Sequence, residues 1–305
     1  MPQSPVTVNL ISRDNGIGLS TDMDLLDGML TGAGYDVQRV PWQRNEMRRC
    51  DVAIYLELFN PHLMRYARRT VGVFNLEWFD PRWRTYLPQL TQLWAKSADA
   101  HATYGRLRLR PHLTGFLSRD LYDPQVERTL SCLHLKGHSG LKNTPAVLEA
   151  WATNPDLPPL TIIAQQPIPN PPPGVTVLGH LPFADVVTHL NRHQIHVCPS
   201  RAEGWGHYIT EGLSAGAAVI TTNAAPMNEH VHPDWGWLLP STGQRARSLA
   251  IEHAVSPDDI ATAVREAAEM TPDERAGVAK RARESVAHRN EQFRQTALDL
   301  LRRMH

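Results

Sequence analysis

A rhythm that runs twice along this chain limits what it can fold into. Short apolar, β-rich runs alternate with stretches of helical periodicity, and the pattern then stops and restarts. In the first pass Val6 to Ser12 reads as a strand. The glycine-bearing RDNGIGLSTD follows, then a helical pattern through Met23, Leu25, Leu26, Met29 and Leu30. Tyr35 to Val40, Val52 to Leu56 and Val71 to Asn75 read as further strands, with helix-like stretches at Pro61 to Arg69 and Leu87 to Ser97. After about Tyr122 the rhythm begins again. Strands at Leu130 to Lys136, Leu160 to Ala164, Val175 to Leu178, Ile195 to Pro199 and Ala218 to Thr222 alternate with helices at Thr144 to Trp151, Asp185 to Arg192 and His207 to Ala215. Such alternation calls for a parallel sheet covered by helices on both faces, an α/β class.

A chain of 305 residues can hold two such sheets, each with its own core. The expected division is two Rossmann-like domains, 1–120 and 121–285, and a C-terminal helix over 286–305 that packs back on the first. The helical tail from Pro272 to Arg303 carries Phe293, Ala297 and Leu300 or Leu301 on one face. The proline-rich Pro167 to Gly174 is extended by composition, but βα rhythm continues on both sides of it. It therefore reads as a loop inside the second domain.

Formal charge is zero, 31 basic against 31 acidic residues, so no global field recruits a partner. Cys50, Cys132 and Cys198 are odd in number and lack metal-ligand spacing, which suits a reducing compartment. No basic leader with a long apolar run opens the chain and no stretch is apolar enough to span a bilayer, so a cytoplasmic protein is expected.

The chemistry concentrates between Ile195 and Pro240. A strand ending near Cys198 runs into PSRAEGWG, and a helix begins near His207. Gly204 and Gly206 remove side chains where backbone must approach a ligand, and the amides of His207 and Tyr208 start a helix, a cradle for a diphosphate. Glu203 on the loop and Glu211 on the helix can converge on one ligand, as acceptors for sugar hydroxyls.

This segment resembles the E-x7-E region of the retaining GT-B glycosyltransferases of family 4, also called group 1. The match includes PSRAEGWG, EGLSAGAAVITT and the later Glu229. LHLKGHSGLKNT is similar to that family's strand and basic diphosphate loop: Lys142 matches its lysine, and His138 stands where an arginine is usual. VTVLGHLPFADVVTHL is similar to its base-binding segment, placing Gly179, His180 and Leu181 beside the nucleobase. The resemblance implies a GT-B fold of two Rossmann-like domains facing each other across a donor-binding crevice. It also implies transfer of a sugar, with retention, from a nucleotide diphosphate donor, a UDP-sugar being expected. Glu211 would hold the ribose, Glu203 the donor sugar, and Lys142 with the Gly206, His207 and Tyr208 backbone the diphosphate. A lysine and a helix N-terminus can stabilise the leaving diphosphate, so no metal and no cofactor beyond the co-substrate is expected. In the first half, Gly16 and Gly18 follow the first strand, in the position of a glycine-bearing loop near the phosphates. Asn75 and Glu77 in FNLEWF stand where relatives carry a histidine near the sugar.

Other readings of the same residues stay open. Glutamates eight apart are ordinarily solvated, and Lys142 outside its loop would be a surface lysine. Asp22 and Asp24 spell a DxD metal signature but also suit the N-terminal charge of a helix. His189 and His193 have i, i+4 spacing without an intervening glutamate, which favours surface histidines over zinc. Trp205 stands apart from the core aromatics as a sugar platform inside the donor loop. A nicotinamide dehydrogenase lacks its ribose-binding acid, since Gln38 and Arg39 fill that region. A nucleotide-sugar epimerase or an inactive sugar-nucleotide sensor would need the same donor grip.

The acceptor reading rests on charge. Between Arg39 and Arg119 fourteen Arg or Lys face six Asp or Glu, an excess of eight in the acceptor domain. That suits a solvated face, an anionic lipid, or a polyanionic acceptor such as a hydroxymethylated base in DNA. A flipped base would then stack on Trp83 or Tyr86 beside Arg82 and Arg84.

Overall fold

The computed structural model describes residues 5–14, 16 and 18–304. They fall into two compact units, one of residues up to 117 with 247–250 and 289 onward, the other of 118–246 with 251–288.

The first unit is built from β1 (Thr7–Ser12), α1 (Gly18–Gly32), β2 (Asp36–Pro41), β3 (Cys50–Leu56), β4 (Ala67–Val73), β5 (Gln92–Ala95), α2 (Ala98–Arg106) and β6 (Pro111–Leu113). The strands form one parallel sheet in the order β2-β1-β3-β4-β5-β6. β3, CDVAIYL, is buried along almost its whole length, as a central strand covered on both faces must be. Two helical expectations fail here. Pro61 to Arg69 gives only a short 3-10 turn, Pro61–Tyr66, started by the Asn60 side chain accepting from the His62 N–H. Leu87 to Ser97 gives a 3-10 turn over Leu87–Gln89 and then β5. Leu87, Leu90, Leu93 and Trp94 mimic helical spacing, but Gln92 and Leu93 pair with Val71 and Gly72 of β4, and tertiary pairing overrides the periodicity.

The second unit contains β7 (Thr129–Gly137), α3 (Thr144–Thr153), β8 (Leu160–Ala164), β9 (Val175–Leu178), α4 (Phe183–Arg192), β10 (His193–Cys198), α5 (His207–Ser214), β11 (Ala218–Thr222) and β12 (Gly236–Leu239). A hairpin of β13 (Gly243–Arg247) and β14 (Ala250–Ala254), then α6 (Pro257–Glu269) and α7 (Pro272–Arg302), complete the order. The six-stranded sheet is again parallel, β12-β11-β10-β7-β8-β9. Trp151, Ile162, Val197, Ile220 and Val264 lie in its core, and Pro167 to Gly174 joins β8 to β9.

The last stretch of α7 clusters with the first unit. Phe293 meets Trp94 at 6.3 Å and Phe116 at 5.2 Å between ring centroids, and Gln92 Nε2 donates to the Leu300 carbonyl at 3.2 Å. Each sheet reverses its strand order once, between β1 and β3 in the first and between β7 and β10 in the second. Such reversals splay the loops at the carboxyl ends of two adjacent strands and open a place for a ligand.

Candidate active site

In the second unit the loops that follow β7 and β10 flank the reversal, and they carry Lys142 and Glu203. Lys142 Nζ donates to Glu203 Oε1 at 2.6 Å. Ser200 Oγ donates to the same oxygen at 2.5 Å and lies 2.5 Å from the Tyr208 hydroxyl. Lys142 Nζ also sits 3.6 Å from the centre of the Tyr208 ring. The cation expected to meet a diphosphate is thus already neutralised by the carboxylate expected to meet a sugar.

Arg201 ties the two loops together. Its N–H donates to the Leu141 carbonyl at 2.7 Å, one residue before Lys142, and its own carbonyl accepts from the His253 N–H at 2.7 Å. Its guanidinium pairs at 2.8 Å with Glu252, which is 2% exposed and also takes Arg245 at 3.1 Å. β14 therefore braces the loop from behind. Neither Arg201 nor Glu252 stood out in the sequence, because a brace has no local motif.

At the start of α5, Gly206 is left-handed, with φ 88°. A Cβ there would stand 3.2 Å from Ile209 Cδ1 and 3.6 Å from Glu203 Cγ, so glycine keeps this approach open. Ile209 N–H donates to the Gly206 carbonyl at 2.9 Å, and the amides of His207 and Tyr208 come before it at the helix start. Glu211 is buried, which raises its carboxyl above the ordinary value, while His207, Arg119 and Lys142 pull it down. Arg119 Nη1 lies 3.9 Å from Glu211 Oε1, and its guanidinium covers the Phe183 ring at 4.6 Å. Arg119 thus belongs beside Glu211 in the second unit, not to the basic face of the first. Phe183 is half exposed and begins α4 just after His180, which is exposed, and Leu181, which packs on the cluster of Leu133 and Ile163. His138 is exposed and, among the described residues, has no hydrogen-bond or ion-pair partner, so the structure does not bring it into this group.

Residues 170–284 match the family model of the glycosyl transferases group 1. The matched stretch holds His180, Leu181, Glu203, Gly206, His207, Tyr208 and Glu211, while Arg119, His138 and Lys142 precede it. Among solved structures, a glycosyltransferase from Rickettsia africae is similar with TM-score 0.75 at 12% identity, over 98% of both chains. A sucrose-phosphate synthase from Thermosynechococcus elongatus gives 0.74 at 13%, over 98% of this chain and 99% of that one. HepE of Anabaena, solved with UDP and glucose, gives 0.68 at 14%, over 97% and 99%. These likenesses place the two parallel six-stranded sheets in the GT-B fold. No curated protein sequence matches the chain.

Several expectations for this GT-B chain need correction. Trp205 is no exposed sugar platform. Its indole N–H donates to Ser118 Oγ at 3.1 Å, its carbonyl lies 2.5 Å from His230 Nε2, and its ring stands edge-on to that histidine at 4.4 Å. It anchors the loop after β10 from inside. Asp22 and Asp24 lie beyond the first turn of α1, so they do not supply its N-terminal charge. Asp22 is buried against Lys96 at 2.5 Å, and Asp24 pairs with Arg39 at 2.7 Å. His189 and His193 stack on each other, with His193 only 5% exposed and 2.7 Å from Ser131 Oγ. Among the described residues no three His, Cys, Asp or Glu side chains form a metal-binding group. No helix among them is long and apolar enough to cross a membrane.

In the first unit, Gly18 is the first residue of α1. Gly16 has φ 66°, and its amide donates to Asp14 Oδ1 at 3.1 Å; Asn15 and Ile17 of the same loop lie outside the described residues. Asn75 follows β4 and donates through Nδ2 to Glu57 Oε2 at 2.5 Å. Glu57 follows β3 in a left-handed conformation, φ 61°, at the reversal between β1 and β3, and burial raises its carboxyl above the ordinary value. The sequence reading missed it, because a lone glutamate after an apolar run carries no signal. Glu77 is buried on a short turn, Leu76–Trp78. Arg82 folds back on Asp80, donating from Nε at 2.9 Å. Arg84 is exposed. Trp83 turns into an aromatic core with Phe79 at 5.7 Å and Phe74 at 6.1 Å, and Tyr86 packs on Phe59 at 5.8 Å, so neither ring is presented for base stacking.

Proposed function

We propose that this chain is a glycosyltransferase that moves a sugar from a nucleoside diphosphate sugar, a UDP-sugar, to an acceptor hydroxyl with retention of configuration. The observation that carries the reading is the constellation at the second reversal. Lys142 and Ser200 both donate to Glu203 beside the first turn of α5, with Glu211 further along the same helix. Lys142 and the His207 and Tyr208 amides would take the diphosphate, Glu211 the ribose, His180 and Leu181 the base, and Glu203 the sugar. Binding of UDP and glucose by HepE supports the donor class. As the glycosidic bond breaks, negative charge grows on the diphosphate, and a fixed cation with a helix N-terminus stabilises it without a metal.

A thermal-shift screen of nucleoside diphosphates and their sugars tests the donor, since a ligand of the native state raises Tm. Product analysis with acceptors, with and without excess chelator, tests the transfer. No shift with any of them would overturn the reading. Isomerised donor formed without acceptor would make the chain an epimerase, and loss on chelation restored by magnesium or manganese would overturn metal independence.

A further inference from the structure

The basic excess of the first half takes on a definite place once the sheet is formed. In a parallel sheet every strand begins on the same edge, so segments far apart in sequence converge there. Arg48 and Arg49 immediately precede β3, Arg65, Arg68 and Arg69 surround the start of β4, Arg106 ends α2, and Arg108 and Arg110 lead into β6. The end of α7 joins them. Arg69 Nε donates to the Met304 carbonyl at 3.4 Å, which brings Arg302 and Arg303 to this edge. All ten arginines are exposed. The carboxylates on the edge are few and already engaged: Asp36 with Arg48 at 3.0 Å, Asp51 with Arg68 at 3.4 Å, and Asp299 with Arg302 at 2.8 Å. Seven arginines remain beyond those three pairs. Among the described residues Arg49, Arg108, Arg110 and Arg303 make no ion pair.

This edge is the amino-terminal one, opposite the carboxyl ends of the strands where such sheets take small ligands. Other cations of the basic stretch do not add to it. Lys96 is buried against Asp22, Arg39 pairs with Asp24 and Asp27, Arg82 folds onto Asp80, and Arg119 lies beside Glu211. The field at the amino-terminal edge thus belongs to a surface rather than a pocket, and it is made of arginine alone. Arginine's planar fork suits phosphate oxygens two at a time. A bilayer would be held more stably by an apolar anchor beside the charge. Apart from Trp78 and Leu113, neither of which stands at a strand's start, the described residues up to 117 expose no large apolar side chain. Four neighbouring strands span about 15 Å at roughly 4.8 Å each, and duplex DNA carries one charge per about 1.7 Å, so the edge can meet several phosphates at once.

We infer that this arginine edge docks the phosphate backbone of a nucleic acid, holding a polymer whose hydroxyl-bearing units are the acceptor. The docking stands on the first unit alone, and only the use made of the bound polymer rests on the proposed transfer.

The test is binding of unmodified duplex DNA over a salt series, by fluorescence anisotropy, to the full chain and to the variant Arg49→Ala, Arg65→Ala, Arg110→Ala, Arg303→Ala. The wild type should bind with a steep slope of log affinity against log salt. The variant should lose about 0.9 of slope per contact removed, some 3 to 4 in all, and bind at least 100-fold more weakly at low salt. A variant of Lys280→Ala and Arg192→Ala, which changes net charge in the second unit, should keep the wild-type slope. Nucleoside diphosphate affinity and Tm should be equal in all three, which separates this surface from the donor site. DNA binding without any nucleotide-sugar binding would refute the proposed transfer and leave the surface standing. Absent DNA binding, an unchanged slope in the quadruple variant, or binding to phosphatidylglycerol vesicles in place of DNA would overturn the inference.

Discussion

Lys142 and Glu203 satisfy each other in the ligand-free molecule, and that gives their two variants opposite signs. A nucleoside diphosphate without its sugar must draw Lys142 Nζ from the carboxylate 2.6 Å away while offering Glu203 nothing in return. Two unit charges about 4 Å apart interact by roughly 4 kcal/mol at an effective dielectric near 20. The side chains are 17% and 13% exposed, and the lysine can be shared, so about a third of that is forfeited on binding. Glu203→Gln removes this competition and should tighten UDP binding about tenfold, ~1.4 kcal/mol, while turnover falls because the sugar loses a charged acceptor. Lys142→Ala removes the cation and leaves the carboxylate facing the phosphates, so UDP should bind on the order of 100-fold more weakly. Isothermal titration of UDP into both variants and the wild type decides it. If the two variants weaken UDP to a similar degree, the pair does not compete with the ligand and the reasoning is wrong.

Two further outcomes follow from burial. Because burial raises the Glu211 carboxyl, the folded protein holds that proton more tightly than the unfolded chain. Its contribution therefore favours folding at acid pH and fades as pH rises through the folded value. The carboxylate proposed to accept ribose hydroxyls is correspondingly lost at a higher pH than for an ordinary glutamate. On acidification UDP affinity should begin to fall at a higher pH than an ordinary glutamate would cause, and Glu211→Gln should be weaker at neutral pH with that dependence flattened. Glu252→Gln breaks a buried pairing to two arginines and should lower stability by about 3 kcal/mol, some 6–12 °C in the Tm of a unit this size, with a higher donor KM than kcat loss alone explains. Scanning calorimetry with initial rates checks both parts. An unchanged donor KM would leave Glu252 a purely structural residue.

The second unit was legible because its strands are short, apolar and evenly spaced. Leu160–Ala164, Val175–Leu178 and Ala218–Thr222 have the bounds that the sequence alone suggests. The first was harder. β5 is a four-residue strand hidden in a run whose leucines fall at helical intervals, and only pairing with β4 decides its state. At the site, motif-bearing residues such as Glu203 and Lys142 could be read in advance. Arg119, Glu57 and the Arg201–Glu252 brace depend on partners 92, 18 and 51 residues away and became visible only in three dimensions. The sequence also suggested a basic face, but it could not say which edge of the sheet would carry it. That depended on all strands of the first sheet running the same way.

The packing of Phe293 against Trp94 and Phe116 bears on how the chain is made. Domains tend to fold in the order they leave the ribosome. Here the first sheet is synthesised early, but part of its covering comes from residues 289 onward, after the whole second unit. Until those residues emerge, Trp94 and Phe116, both fully buried in the finished molecule, face solvent or a chaperone. A fragment ending at residue 117 should therefore aggregate rather than fold. A circularly permuted chain that begins at 289 and runs on into β1 should bring the first unit to completion before the second is translated.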